Sequence, residues 1–140
     1  MAAILTSLPA ISLAETLVVP ATGSVPETVE RLKTSIENAG SRVFTVVDFG
    51  GGAKSVGEDI GDLQLVVFGN PKIGAAALSA DPMAALRLPA KVLVYDTGSG
   101  SAMAYEAPGD MLAGSNIPPD APILTLMADA LDKITAAAAE

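Results

Sequence analysis

Four side chains in this 140-residue chain are suited to holding a ligand: Asp48, Asn70, Lys72 and Tyr105. Gly69-Asn70-Pro71-Lys72 follows the apolar run Leu63–Phe68 (LQLVVF), where a strand gives way to a helix. An Asn at that point can accept from the free N–H groups of a first helical turn, and Pro suits the first helical position. Lys72 then sets an ammonium beside those N–H groups, an arrangement able to hold a small anion or a carboxylate. The same four residues also describe an ordinary capped turn. Asp48 lies in the strand-like run Arg42–Phe49 (RVFTVVDF), where a carboxylate pKa can be shifted, although the sequence shows no partner for it. Tyr105 faces Tyr95 across a predicted hairpin, either as cross-strand packing or as a pocket wall.

The side chains that are missing narrow the chemistry further. The chain has no His and no Cys. That excludes disulfides, N/S-ligated zinc, His- or Cys-held haem, iron–sulfur clusters, thiol nucleophiles and Ser-His-Asp triads. Asp48-Phe49-Gly50 spells a kinase motif in a chain without the rest of a kinase. Gly50-Gly51-Gly52-Ala53-Lys54-Ser55 resembles a phosphate loop, but Ala53 stands where the glycine before the lysine is needed. Glu58, Asp59 and Asp62 lack calcium-loop spacing and read as a solvated acidic loop. No residue is therefore assigned a catalytic role, and no metal or cofactor is expected.

The formal charge is −8, with eight basic residues scattered from Arg31 to Lys133. Nucleic acid, which is bound largely by neutralising phosphates, is excluded as a partner, and an anionic membrane surface is disfavoured. No run of eighteen apolar residues is present, so no membrane-spanning helix is expected.

The elements that must position these residues are legible in outline. Thr16–Val19 is a short β-branched run. Ser24, Pro26 and Glu27 make a capping box ahead of Val25, Val29, Leu32 and Ile36, and Gly40 closes that helix. A strand over Arg42–Phe49 is broken by the three glycines, and Ala53–Gly57 makes one helical turn. Leu63–Phe68 reads as a central strand covered on both faces. Ile73–Ala80 is a short helix. Ala90–Asp96 and Ser101–Glu106 form a hairpin around Thr97–Gly100. Pro108–Ala113 makes a turn or two of helix. A last helix, capped by Asp120, carries Ile123, Leu124, Met127, Leu131 and Ile134 on one face. The fold class is α+β: an antiparallel or mixed sheet of about five strands with two main helices packed on one face.

Residues 1–14 (MAAILTSLPAISLA) are apolar and end in Ser12-Leu13-Ala14, the small-residue pattern of a signal-peptidase site without its basic leader. They read as a signal-peptide remnant before a single domain over 15–140. The expected location is periplasmic or secreted, or cytoplasmic if the segment is a strand or a tail.

Several segments together resemble one family. They are Glu27–Leu32 with Gly40 downstream, Val46-Val47-Asp48 followed by Ala53, and Phe68-Gly69-Asn70-Pro71-Lys72-Ile73-Gly74. Leu88-Pro89 ahead of Lys91–Asp96, and Tyr105 with Pro108, complete the set. In this order they resemble the bacterial DUF302 family over residues 16 to 138, with Phe68–Lys72 the most specific mark. The resemblance implies a compact α+β homodimer and no established activity. It also implies a His where this chain has Phe49 and an Asp where it has Arg87. The leading expectation is a non-catalytic, exported, homodimeric module that binds a small anionic ligand or a protein. The alternatives are an assembly subunit whose last helix offers Met127 and Leu131, and an enzyme using Asp48, Lys72 or Tyr105.

Overall fold

The computed structural model describes residues 15–140, so the signal-peptide reading of residues 1–14 lies outside the described residues. Local signals set the ends of helix α1 (Val25–Asn38). Ser24 accepts from the Glu27 N–H, and the Glu27 carboxylate accepts from the Ser24 N–H at 2.7 Å, the reciprocal pair of a capping box. At the other end Gly40 sits at φ +77°. The Ser41 N–H donates to the Ile36 carbonyl and the Gly40 N–H to that of Glu37. These are the paired bonds of a Schellman end, which uses the left-handed conformation open to glycine.

Five strands form one sheet: β1 (Thr16–Ala21), β2 (Arg42–Asp48), β3 (Leu63–Gly69), β4 (Ala90–Asp96) and β5 (Ser101–Glu106). Their order is β1-β5-β4-β3-β2, and every neighbouring pair is antiparallel. Four further helices are α2 (Phe49–Ser55), α3 (Pro71–Ala80), α4 (Pro108–Met111) and α5 (Pro122–Ala138), with a 3₁₀ turn over Pro82–Leu86. The main core is one helix layer on one sheet face. Leu32 and Ile36 of α1 and Ile134 of α5 meet Val66, Val92 and Met103 of the sheet. A smaller core gathers Ala77, Ala84, Leu112, Leu124 and Met127 beneath the 3₁₀ turn. The buried Asp81 carboxylate ties it together by accepting from the Met83 and Asn116 N–H groups, each at 2.9 Å.

Four sequence expectations are corrected. β3 lies one strand from the edge, and β4 is central. Only its inward side chains Val66 and Phe68 are buried. Leu63, Leu65 and Val67 point to the face opposite the helices and remain half-exposed. The strand does end ahead of the three glycines, at Asp48, but the helix that follows is not a turn over Ala53–Gly57: α2 starts at Phe49 and runs through the glycines to Ser55, with Asp48 accepting from the Gly51 N–H at 2.9 Å. The cap offsets only part of the poor helix propensity of glycine; the buried Gly50, packed against the backbone of Gly61–Leu63, supplies the tertiary contact that overrides the rest. Asp120 caps nothing. α5 starts at Pro122 with no side-chain cap, the ring fixing the first helical φ. Finally, Tyr95 pairs with Ala102, which puts it on the outer face while Tyr105 points inward with Met103. A register shift of one residue exchanges the two faces of a strand, so the tyrosines do not meet.

Candidate functional site

β3 and β4 end side by side, with Phe68 opposite Ala90. From there β3 passes into α3 through Asn70, and β4 is entered from the 3₁₀ turn through Leu88 and Pro89. α5 packs against α3 and carries Met127, Ala130 and Leu131 to the same place. Between these elements lies a cleft of about 450 Å³, walled by Phe68, Ile73, Leu78, Leu88, Met127 and Leu131 among others. This is within the ordinary range for small-molecule sites.

The local sequence explains why the space is open. Small residues line much of it, including Gly69, Gly74, Ala75, Ala85 and Ala130. A Cβ on Gly74 would meet nothing within 4 Å. A Cβ on Gly69 would lie 3.0 Å from Cε2 of Phe44, so glycine is what lets that ring rest on the strand end. Phe44 itself falls where the β2–β3 register shifts between Val43 and Thr45. A bulge re-aims the side chain of the extra residue, and here the ring joins the cleft wall.

The electrostatics of the cleft are those of an apolar slot. None of its lining residues is titratable, and Ser41 and Asn70 supply its hydrogen-bonding side chains. Both lie in one corner. The Asn70 Nδ2 donates to the Gly40 carbonyl at 3.4 Å, next to Ser41, and Asn70 Oδ1 accepts from the Lys72 N–H at 3.0 Å.

The residues singled out by sequence do not gather into one site. Asn70 is on the cleft wall. Lys72 is exposed on the first turn of α3, off the wall, and makes no ion pair among the described residues. Asp48 pairs with Gln64 at the far end of β3, six residues from Asn70 and so about 20 Å away at the rise of a strand. Tyr105 borders a second cavity of about 350 Å³ that shares Ala90 and Leu131 with the first. Its hydroxyl donates to Asp132 Oδ1 at 2.8 Å. Burial, and then the hydrogen bond to Asp132, hold the phenol above its usual 10.0. An acid–base centre built from Asp48, Lys72 and Tyr105 is therefore not assembled within one chain. The wall residues Phe44, Met127 and Leu131 complete the cleft. The helical period of α5 marks the last two as buried, but only the packing shows that one end of that face borders a cavity.

Among the described residues no cluster of three or more carboxylates could hold a metal ion, and no helix is long and apolar enough to cross a membrane. The pattern of the family described as "Domain of unknown function DUF302" matches residues 17–140. A crystal structure of an uncharacterized conserved DUF302 protein from Bacillus stearothermophilus superposes with a TM-score of 0.72 at 22% identity, over 89% of this chain and 94% of that one. The fluoride-specific ion channel FluC 1 of Brucella suis is 39% identical over 77 residues, which are 55% of this chain and 30% of that protein. FluC 2 of Brucella melitensis matches equally, over 28% of its length. The chain thus spans less than a third of the curated relatives it matches.

Proposed function

This chain belongs to the DUF302 family, and from that premise we propose that it is an exported, homodimeric, non-catalytic module that binds a small ligand in the cleft beside Asn70. The observation that carries this reading is the cleft itself: about 450 Å³ of open, concave, apolar space with no titratable side chain on its walls. General acid–base catalysis needs a titratable group within reach of the substrate; binding needs only shape and a few placed polar groups. Asn70 is the ligand-contacting residue in this reading. Lys72, Asp48 and Tyr105 fall outside the site.

The dimer reading is supported by the sheet face that the helices leave uncovered. Val47, Leu65, Leu93, Ala104 and Val18 form one cross-strand row over all five strands. Val18 is 53% exposed. An apolar row of this extent, without a charge, suits a two-fold contact in which both copies bury the same patch. The Brucella relatives support the module reading in one respect: their matched stretch forms part of a longer protein. Their channel activity is not carried over to this chain.

Native mass spectrometry of the protein purified from its own cell without refolding tests the export, the dimer and the bound ligand. A small-molecule adduct on a dimer whose chain starts near Glu15 is expected. A bare monomer with residues 1–14 attached would refute the reading.

A further inference from the structure

The walls of the cleft also specify what enters it. We infer that its ligand is a single uncharged aliphatic chain, alkyl or acyl, bearing a neutral hydroxyl or carbonyl at one end. The inference rests on the binding function proposed above and names its ligand class. Four observations point the same way. The lining residues carry no charge of either sign, and the Lys91 ammonium beside them is already held by the Arg87 and Pro89 carbonyls, so an ion entering the cleft would lose hydration with little to replace it. The hydrogen-bonding side chains, Ser41 and Asn70, sit together beside Gly40, so the site is polar at one corner and apolar elsewhere. Asn70 has spent Oδ1 on its own helix and one amide N–H on a long bond to Gly40, which leaves an N–H to donate. A hydroxyl or carbonyl oxygen can take it.

The third observation is the rim. Phe44 and Leu78 on the wall are 54% and 39% exposed, and Met83 and Leu86, in the turn that supplies Ala85 to the wall, are 63% and 81% exposed. Two of the four are thus on the wall and two flank a wall residue in sequence. Apolar exposure concentrated at a concave mouth marks a binding site. The fourth is the net charge of −8, which repels a fatty carboxylate or a phosphate at long range.

Isothermal titration of the full chain with 1-butanol, 1-hexanol and 1-octanol provides the test, with octanoate and inorganic phosphate as charged controls. Affinity should rise about fourfold per added methylene until the cleft is full. Octanol should bind more tightly than octanoate, and phosphate should not bind. Gly74→Leu and Ala130→Phe fill the cleft and should each weaken octanol at least tenfold. Gly74 is helical with open space at its Cβ, so this variant keeps the fold, which its circular dichroism and Tm confirm. Octanoate or phosphate binding as tightly as octanol, and weakened by Gly74→Leu, would overturn the ligand class while leaving the site in place. Octanol affinity unchanged in both filled variants would overturn the site as well. A wild-type chain that binds none of the alkanols, or that captures only an apolar peptide there, would overturn the inference.

Discussion

Removing the hydroxyl of Thr28 tests how the helix layer is fastened to the sheet. Thr28 and Ser101 are 0% and 2% exposed, and their hydroxyls lie 2.7 Å apart. Thr28 Oγ1 also accepts from Arg31 Nη2 at 3.0 Å. The same guanidinium donates to the carbonyls of Thr22 and Ala138. This node joins the entry to α1, the start of β5 and the end of α5, the helix that floors the cleft. Thr28→Val keeps the side-chain shape and strands the buried Ser101 hydroxyl, which costs about 1–3 kcal/mol. Ser101→Ala costs less, about 1 kcal/mol, because Thr28 keeps its Arg31 donor and can donate to the Thr22 carbonyl at 3.3 Å. The double variant removes both partners together, so its loss should fall short of the sum by about 1 kcal/mol. Urea unfolding followed by far-UV circular dichroism measures this in a chain without tryptophan, with an unchanged slope as the sign of an intact unfolding transition. Losses that add to within about 0.5 kcal/mol would show that the hydroxyls are not coupled.

Gly50→Ala should destabilise the fold by about 1–3 kcal/mol in the same assay, because its Cβ would sit 2.5 Å from the Gly61 carbonyl oxygen in a packed corner. The Glu27 carboxyl is held below its usual 4.5, first by the Ser24 N–H and then by the Ser24 hydroxyl. Its depressed pKa gives stability that is present above pH 4.5 and is lost as pH falls through the folded value. Glu27→Gln should flatten the acid limb of a plot of urea midpoint against pH. Tyr105 has the opposite sign: its raised pKa gives stability that is full below pH 10.0 and is lost as pH rises through the folded value. An ultraviolet titration should show one tyrosine ionising late, and Tyr105→Phe should remove that component. Val18→Lys with Leu93→Lys should turn a dimer into a folded monomer in light scattering, whereas an unchanged mass would place the contact elsewhere.

What could be read from the sequence follows the range of the forces involved. The box at Ser24 and Glu27, the stop at Gly40 and the hairpin Ala90–Glu106 depend on residues within a few positions of each other, and the strand and helix ends fall there. α2 escaped the same reasoning because its three glycines are held helical by the Asp48 cap together with the packing of Gly50 on the distant Gly61–Leu63 backbone, which has no local signature. The strand order escaped because an apolar run such as LQLVVF has the same composition whether one face or both are covered. Asn70 was found through its capping chemistry. The cleft beside it was not, since its walls come from positions as distant as Phe44 and Ile134 that read simply as core. Space left between elements has no local signature.

The two departures from the family pattern gain a meaning from the topology. The resemblance implies a His at position 49 and an Asp at position 87. Phe49 follows Asp48, which stands opposite Gln64, whereas Arg87 leads into Ala90, which stands opposite Phe68. Four residues of β3 separate these ends, roughly 13 Å along the strand. The chain therefore places position 49 beside one end of β3 and position 87 ahead of the strand that pairs with the other end. Phe49 is an exposed ring at the start of α2, far from the cleft. Arg87 adjoins Leu88 on the cleft wall, and its carbonyl holds the Lys91 ammonium at 2.8 Å. An Asp at 87 would put a carboxylate at the apolar rim, where this chain instead presents a long aliphatic stem that can lie along apolar surface with its charge in water.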